Sequence, residues 1–550
     1  MRVKITNQGL TVQGIAGTYV VLLGFDMDEA DCEGLLGFAI HRTDHTENEA
    51  YWLEGMKAFA ETDPGFPAGA KYSTRQQPIQ GFTWSDFSAK PGHNYTYRVV
   101  ALKGTPRDLQ PEAEVSVALK TESPEGGMHD IYFNRGAAAS QEFSRRFGNR
   151  QPSEVGSAAF TWLSRGLYES ILNFIAKASG PGFELRVCAY EFHYLPVLEA
   201  LKSAGQRGVQ VKIIYDRRRD EPGEKNDLAI KTADIHELCI QRTANPSAIA
   251  HNKFILLIKN GQPQSVLTGS TNFSEGGIFG HSNVVHVVEE AQIANAYLDY
   301  WNLLSNDPKS VAIRPVLSQM KPLPVGDPPS GTATIFSPRS SLDVLEWYAT
   351  LAASAKEGLF ATFAFGMHPD FQEAYRASPA KMRFALLEKL TRPMKAGPER
   401  DAEEAKIIEL RKLPENRFAV GSFLKLNLFD TWLGERLTGL NNNVKYVHTK
   451  YLLIDPLGSD PIVISGSANF SEASIEDNDE NMLIIRGNKR VAEIYLGEFM
   501  RLYNHYAFRE WASKQSSNLT KVPKHLRTDR WWKDYFGDTE RSRQREYFSK

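Results

Sequence analysis

Two short runs in this chain carry residue types suited to phosphoryl chemistry: His251-x-Lys253 and His448-x-Lys450. Each is followed at the same distance by Gly-Ser-x-Asn, giving Gly269, Ser270 and Asn272 in the first copy and Gly466, Ser467 and Asn469 in the second. The stretches HNKFILLIKNGQPQSVLTGSTNFSEGG and HTKYLLIDPLGSDPIVISGSANFSEAS align without a gap. Imidazole titrates near neutrality, so histidine serves as nucleophile, acid or base. The phosphorus of a phosphodiester is shielded by negative oxygens, and that charge must be neutralised before attack. Lys253, Lys450, Asn272, Asn469 and the hydroxyls of Ser270 and Ser467 are therefore expected to cradle the nonbridging oxygens of one phosphate. Ordinary polar residues at strand ends would not recur in register at so many positions.

Such groups need strands beneath them. On a strand, His and Lys two residues apart share a face. Upstream of the first pair, Leu167, Ile171, Phe174 and Ile175 fall at helical spacing, followed by a strand at 183–190, a helix at 196–204 and a strand at 209–215. That is a β-α-β unit with a presumed parallel sheet. The second half repeats the order with a helix at 342–355, a strand at 359–365 and a helix at 370–377. Residues 392–423 form an extra charged segment containing EEAKIIELRKL, read as an insertion over one face. After each motif come an apolar strand (284–288; 482–485) and an amphipathic helix (293–304; 491–502). The repeat indicates duplication, and two lobes about a pseudo-twofold would bring both His-Lys pairs to one phosphate.

These paired motifs resemble the signature of the phospholipase D superfamily, over about residues 130–509. The resemblance implies an α/β fold of duplicated phospholipase D-type lobes, with mixed or parallel sheets flanked by helices. It implies a metal-independent phosphodiesterase working through a phosphohistidine, with His251 as nucleophile and His448 as general acid. No cofactor and no metal site are expected. The full family pattern is H-x-K, four residues, then Asp. Asp455 meets it as a supporting residue, whereas Ile258 stands there in the first copy. Tyrosyl-DNA phosphodiesterases, similar to this family, do without that Asp. The family often has an acidic residue after G-S-x-N that orients an imidazole. Glu480 fills that place in the second copy; the first offers only Ser282 or Asn283. One histidine is thus expected to be held by a carboxylate and the other by a neutral group. Glu191 is a weaker candidate. Small residues after Asn134-Arg135 would let the backbone approach a phosphate, and Arg135 would contact the anion or form a surface ion pair.

Residues 1–122 read as all-β, and PGHNYTYRVVAL alternates Tyr95, Tyr97, Val99 and Ala101 on one face. That strand resembles the penultimate strand of a fibronectin type III sandwich. The expected units are a small all-β sandwich at 1–124, lobes at 125–318 and 319–510, and a basic aromatic-rich tail at 511–550. From Lys514 to Lys550 there are ten Lys/Arg against five Asp/Glu, interleaved with Trp531, Trp532, Tyr535, Phe536, Tyr547 and Phe548. Such a tail can clamp nucleic acid, but docking of its aromatics on the body is the favoured reading.

Net charge is −2, so any attraction to nucleic acid or membrane must be local. Three scattered cysteines make neither a disulfide framework nor a zinc site. The N-terminus is too polar for a signal peptide and no stretch is expected to span a bilayer, which makes the cytoplasm the expected location. Three functions compete. A nuclease is favoured because both copies read G-S-x-N-F-S, similar to bacterial nuclease-type members, and lack the Arg-Ser of lipid-handling members. A phospholipase or small-phosphodiester hydrolase is the alternative, and a non-catalytic binding protein the third. The expected partner is a nucleic acid, or else a phospholipid. Oligomeric state is open.

Overall fold

The computed structural model describes residues 1–65, 70–136, 140–148, 150–218, 221–421, 447–515 and 525–550. The N-terminal part is two antiparallel four-stranded sheets, one built from Arg2–Asn7, Leu10–Ala16, Val21–Asp26 and Thr83–Asp86, the other from Asp108–Lys120, Asn94–Thr105, Gly37–Asp44 and Glu49–Trp52. Tyr95, Tyr97, Val99 and Ala101 all point into the core between them, as the alternation requires.

Each lobe is then built on a seven-stranded sheet, and the two sheets have one topology. In space the first runs His129–Phe133, Val284–Val288, Gln262–Gly269, Lys253–Lys259, Phe183–Ala189, Gln210–Asp216, Cys239–Arg242. The second runs Gly331–Ser337, Glu480–Arg486, Ile462–Gly466, Tyr451–Ile454, Gly358–Phe363, Met382–Leu387, Asn416–Val420. Only the last three strands of each order are parallel, so the sheets are mixed rather than parallel throughout. The reason is local: the H-x-K strand turns straight back into the G-S-x-N strand, and a tight hairpin is antiparallel.

The charged segment expected as an insertion is instead part of the repeat. Its helix, Pro398–Leu410, links two parallel strands, as Gly223–Ala233 does in the first lobe. A parallel neighbour needs such a crossover. Phe423, at the end of that segment, lies outside the described residues.

Helices Ala291–Leu304 and Lys489–Gln515 pack between the sheets, and one apolar cluster takes side chains from both lobes, among them Phe254, Tyr297, Trp301, Phe360, Tyr451 and Phe499. The C-terminal tail is a strap across this assembly. Trp531 and Trp532 enter the sandwich core, while Tyr547 and Phe548 enter the core shared by the lobes. Trp531 Nε1 donates to Leu35 O at 2.8 Å. Arg545 pairs with Asp26, Arg530 with Glu33, and Arg527 with Asp529 and Asp534. The tail's aromatics are thus spent on packing, and these arginines meet carboxylates. Lys521 and Lys524 lie outside the described residues.

The sandwich also contributes Ile15, Val20 and Leu22 to the shared core, and Gln13 Nε2 donates to Phe548 O at 3.0 Å. A chain starting near Met128 would expose this surface and strip Trp531 and Trp532 of their cover. Large aromatics dominate core energetics, so such a chain is expected to aggregate or melt well below the full-length protein. Sedimentation and thermal circular dichroism would show it; an unchanged Tm would mean the sandwich is energetically separate.

Candidate active site

The two H-x-K motifs stand at the starts of their strands, and their histidines face one cavity between the lobes. In each lobe a carboxylate at the C-terminal end of the strand one further along the sheet, Gln210–Asp216 or Met382–Leu387, pins the residue before the histidine. Asp216 Oδ2 accepts from Ala250 N–H at 2.9 Å, and Glu388 Oε2 accepts from Val447 N–H at 2.9 Å. These two acids escape sequence reading, because they share a structural position but not a residue type. A cavity of about 230 Å³ opens above, lined by His251, His448, Asn272, Asn469, His281 and Glu191 among others. Both H-x-K histidines and both asparagines of the motifs therefore meet at one place.

Each histidine is held by the opposite lobe. His251 Nδ1 lies 2.9 Å from both carboxylate oxygens of Glu480. His448 Nδ1 lies 2.8 Å from Asn283 Oδ1. The carboxylate expected from the sequence thus belongs to His251, and Asn283 rather than Ser282 is the neutral partner. The orientation of the Asn283 amide follows from its neighbours. Its nitrogen faces Gly277 O at 2.6 Å, and a carbonyl only accepts, so the oxygen faces His448. Both catalytic-candidate imidazoles therefore carry their proton on Nδ1 when neutral, which leaves Nε2 for the cavity.

The serines correct the expected cradle. Ser467 Oγ donates to Glu480 Oε2 at 2.6 Å, and Ser270 Oγ donates to Asn283 Oδ1 at 2.8 Å. Each hydroxyl also accepts a backbone N–H, from Asn481 and Val284 respectively. With both bonding directions used and no exposed surface, they position the groups that orient the histidines and do not reach a phosphate. The glycine before each serine is dictated by close strand approach. A Cβ at Gly269 would lie 2.3 Å from Val284 O, and one at Gly466 2.2 Å from Asn481 O.

The remaining motif residues carry the electrostatics. Lys253 Nζ donates to His251 O at 2.5 Å, and Lys450 Nζ donates to His448 O at 2.6 Å. Burial pushes Lys253 down to about 8, partly offset by Glu480, Glu191 and Asp216. Lys450 is also pushed well down, by burial and then by Lys253. Two ammonium groups crowded out of water favour an anion between them. Burial lowers His251 to about 4 despite Glu480, and lowers His448 as well, with Lys450 and His281 adding to the effect. Burial raises the Glu480 carboxyl, but His251, Lys253 and Ser467 outweigh it and keep it ionised. The amide oxygens of Asn272 and Asn469 are buried without a hydrogen-bond partner; an oxygen only accepts, so it is their amide nitrogens that can donate to a phosphate.

Asp455 stands outside this group. Its carboxylate accepts from the backbone N–H groups of Lys356, Glu357 and Gly358 at 2.7–3.1 Å, which fixes the start of strand Gly358–Phe363. The backbone turns there with φ +46°. In the first lobe the strand runs on to Lys259 and the left-handed turn falls at Asn260, φ +50°. Ile258 is therefore a buried strand residue paired with Pro263, and its loss of the carboxyl leaves the site untouched.

Asn134 is structural too. Its Nδ2 donates to Ile278 O and His281 O, and its Oδ1 accepts from Asn283 N–H, so it fastens the loop carrying His281 and Asn283. Among the described residues, Arg135 pairs with no carboxylate. It donates to Trp162 O at 2.9 Å and stacks over the Trp162 ring. Glu191 does line the cavity, with Ser274 Oγ donating to it at 2.5 Å. His281 was not singled out from the sequence, because its counterpart in the gapless repeat is Asn478.

The family described as "Cardiolipin synthase, PLD-like domain" matches residues 171–304 and 425–503, one block in each half of the chain. Each lobe thus contains a stretch similar to this domain. Proteins named phospholipase D share sequence with this chain: that of Rickettsia bellii is 36% identical over 111 residues, 19% of this chain and 48% of its own length. That of Rickettsia conorii is 31% identical over 142 residues, 25% of this chain and 62% of its own length. The chain thus spans about half the length of the curated relatives it matches. Among solved structures, a phosphatidylserine synthase of Haemophilus influenzae aligns with 65% of this chain and 92% of its own, at 12% identity and a TM-score of 0.43. The phospholipase D family member Nuc of Salmonella typhimurium aligns with 32% of this chain and 95% of its own, at 20% identity and a TM-score of 0.23. Among the described residues, no helix of the lobes or their flanks is long and apolar enough to cross a membrane.

Proposed function

We propose that the chain is a metal-independent phosphodiesterase in which residues 125–318 and 319–510 each supply half of one active site. The observation that carries this is the crossed pair of bonds, Glu480 to His251 and Asn283 to His448. In the first step, His251 Nε2 attacks phosphorus; an N–P bond forms, the P–O bond to the leaving alcohol breaks, and His448 Nε2 delivers its proton to that oxygen. In the second, His448 takes a proton from water, whose oxygen displaces His251. The roles follow from the partners: Glu480 offsets the positive charge that His251 acquires on phosphorylation, whereas the neutral Asn283 leaves protonated His448 a stronger acid. Lys253, Lys450, Asn272 and Asn469 hold the nonbridging oxygens, and the phosphate's charge in turn favours the protonated form of His448. The lysines supply the positive charge that a metal supplies in other phosphodiesterases.

For substrate we favour nucleic acid, on the G-S-x-N-F-S sequence in both copies and the missing Arg-Ser. The strap-like tail no longer adds to this reading. A phospholipid or small phosphodiester is the second reading. Glu191 and Glu221 in the cavity wall favour it, since they would repel the flanking phosphates of a polymer, and so do the names of the Rickettsia relatives. The test is incubation with single-stranded DNA, double-stranded DNA, RNA and phosphatidylcholine vesicles at low salt, with and without EDTA and with His448→Ala as control. Cleavage of a nucleic acid that survives EDTA and weakens steeply with salt is expected. Lipid cleavage with all three nucleic acids intact would replace the nuclease reading, and loss on EDTA restored by magnesium would remove the metal-free mechanism.

A further inference from the structure

The Asn283 side chain makes four hydrogen bonds, and they determine more than the state of His448. Its oxygen accepts from Ser270 Oγ and from His448 Nδ1–H; its nitrogen donates to Gly277 O and, at 2.8 Å, to His281 Nδ1. An amide nitrogen only donates, so His281 Nδ1 must be the acceptor. The proton of neutral His281 is then on Nε2. That nitrogen meets no protein partner among the described residues, and the His281 ring lines the cavity beside Asn272 and His448. The ring also stacks on His448, with centroids 4.4 Å apart and planes at 24°.

We propose that His281 is a third histidine of the catalytic machinery, whose Nε2–H donates to a nonbridging phosphoryl oxygen on the His448 side of the cavity. The proposal rests on the two-histidine reading above. The ligand class is a tetrahedral phosphoryl oxyanion, bound by a donor that brings no charge of its own. Neutrality matters here. A cation stacked on His448 would oppose the protonation that His448 needs in order to act as an acid, whereas a neutral donor stabilises the oxyanion without that cost. The surroundings keep it neutral: burial pushes His281 down to about 4, Glu191 opposes, and Lys450 and Lys253 reinforce the fall. The feature belongs to one lobe only. Asn478, in the equivalent position, uses its oxygen to accept from Ile249 N–H at 3.1 Å. His281 thus breaks the pseudo-twofold and adds a donor on the side from which the leaving group departs.

The test separates a donor from a stacking ring. His281→Phe keeps an aromatic face against His448 and removes the N–H; His281→Gln removes the ring and keeps a donor. Initial rates on bis-p-nitrophenyl phosphate and the inhibition constants of orthovanadate and inorganic phosphate are measured for both, beside wild type and His448→Ala. The expected result is a roughly 10²-fold fall in kcat for His281→Phe, weaker binding of both anions, and recovery of at least part of both losses in His281→Gln. Equal losses in the two variants, or wild-type behaviour of His281→Phe, would overturn the proposal. If His448→Ala were itself fully active, the underlying reading of the site would fail instead. Should His281→Phe not fold, 15N spectra of the wild-type protein decide: an Nε2–H tautomer of His281 whose shift moves on adding vanadate supports the proposal, and an Nδ1–H tautomer refutes it.

Discussion

Alanine at His251 or His448 is expected to cut turnover of an ordinary phosphodiester by roughly 10⁴-fold or more, because the two groups act as a unit. The two losses differ in kind. His251 forms the covalent bond to phosphorus, so His251→Ala should release no burst of product from any substrate. His448 is needed in the first step only to protonate the departing oxygen. A p-nitrophenolate leaves without that help, so His448→Ala on bis-p-nitrophenyl phosphate should give one fast equivalent of p-nitrophenol and then stall. The stall follows because His448 is also the base for water, and the nitrophenyl phosphate would remain on His251 Nε2. Quenched-flow kinetics and mass spectrometry of the acid-labile adduct read both outcomes. A burst from His251→Ala and none from His448→Ala would exchange the two roles. Near-full activity in His251→Ala would make the first copy vestigial and end the two-histidine account.

The site was legible in the sequence where one residue type does one job in both lobes. His251, Lys253, Asn272 and their counterparts in the second copy meet this condition, and the cavity brings the histidines and asparagines together. Ser270 and Ser467 were equally visible but misassigned, since a recurring hydroxyl shows that a bond is needed without showing to what. Both turn out to support the residue thirteen positions ahead, Asn283 and Glu480. Asp216 and Glu388 were illegible because the pseudo-symmetry preserves a carboxylate near Ala250 and Val447 but neither its side-chain length nor its neighbours. The same limit applied to the fold. Periodicity located the strands, but not the pairing that made the sheets mixed. The charged, weakly periodic Pro398–Leu410 reads as an insertion because nothing in its own sequence shows that it delivers a strand, Asn416–Val420, to the sheet edge. The gapless alignment even concealed a difference, the turn at Asn260 in one copy and at Asp455 in the other.

Glu480→Gln is expected to lower kcat roughly 10³-fold, within the range for removing a carboxylate that orients and charges a catalytic imidazole. Shape is nearly conserved, so the loss measures the charge. Glu480 is fully buried, touches His251 and Ser467, and is the one carboxylate bonded to either H-x-K histidine among the described residues. A structural role alone would also lower activity, and the pH profile distinguishes the two. With a p-nitrophenyl ester, whose departing group needs no proton from His448, kcat/KM of the free enzyme requires only neutral His251 and charged Lys253. Activity should therefore fall as pH drops toward about 4, where His251 takes up a proton, and fall as pH rises through about 8, where Lys253 loses one. The Glu480 anion raises both groups, because it favours their charged forms. Removing that anion lowers both, so the acid limb and the alkaline limb should each move to lower pH. The alkaline limb is the easier to follow: at pH 8 the variant should have lost a larger fraction of its own maximum than wild type has. Rate profiles from pH 4 to pH 10, with stability checked at each pH by circular dichroism, decide the matter. A uniform drop with unmoved limbs would reduce Glu480 to a packing role, and a shift to higher pH would contradict the electrostatic reading of the whole cavity.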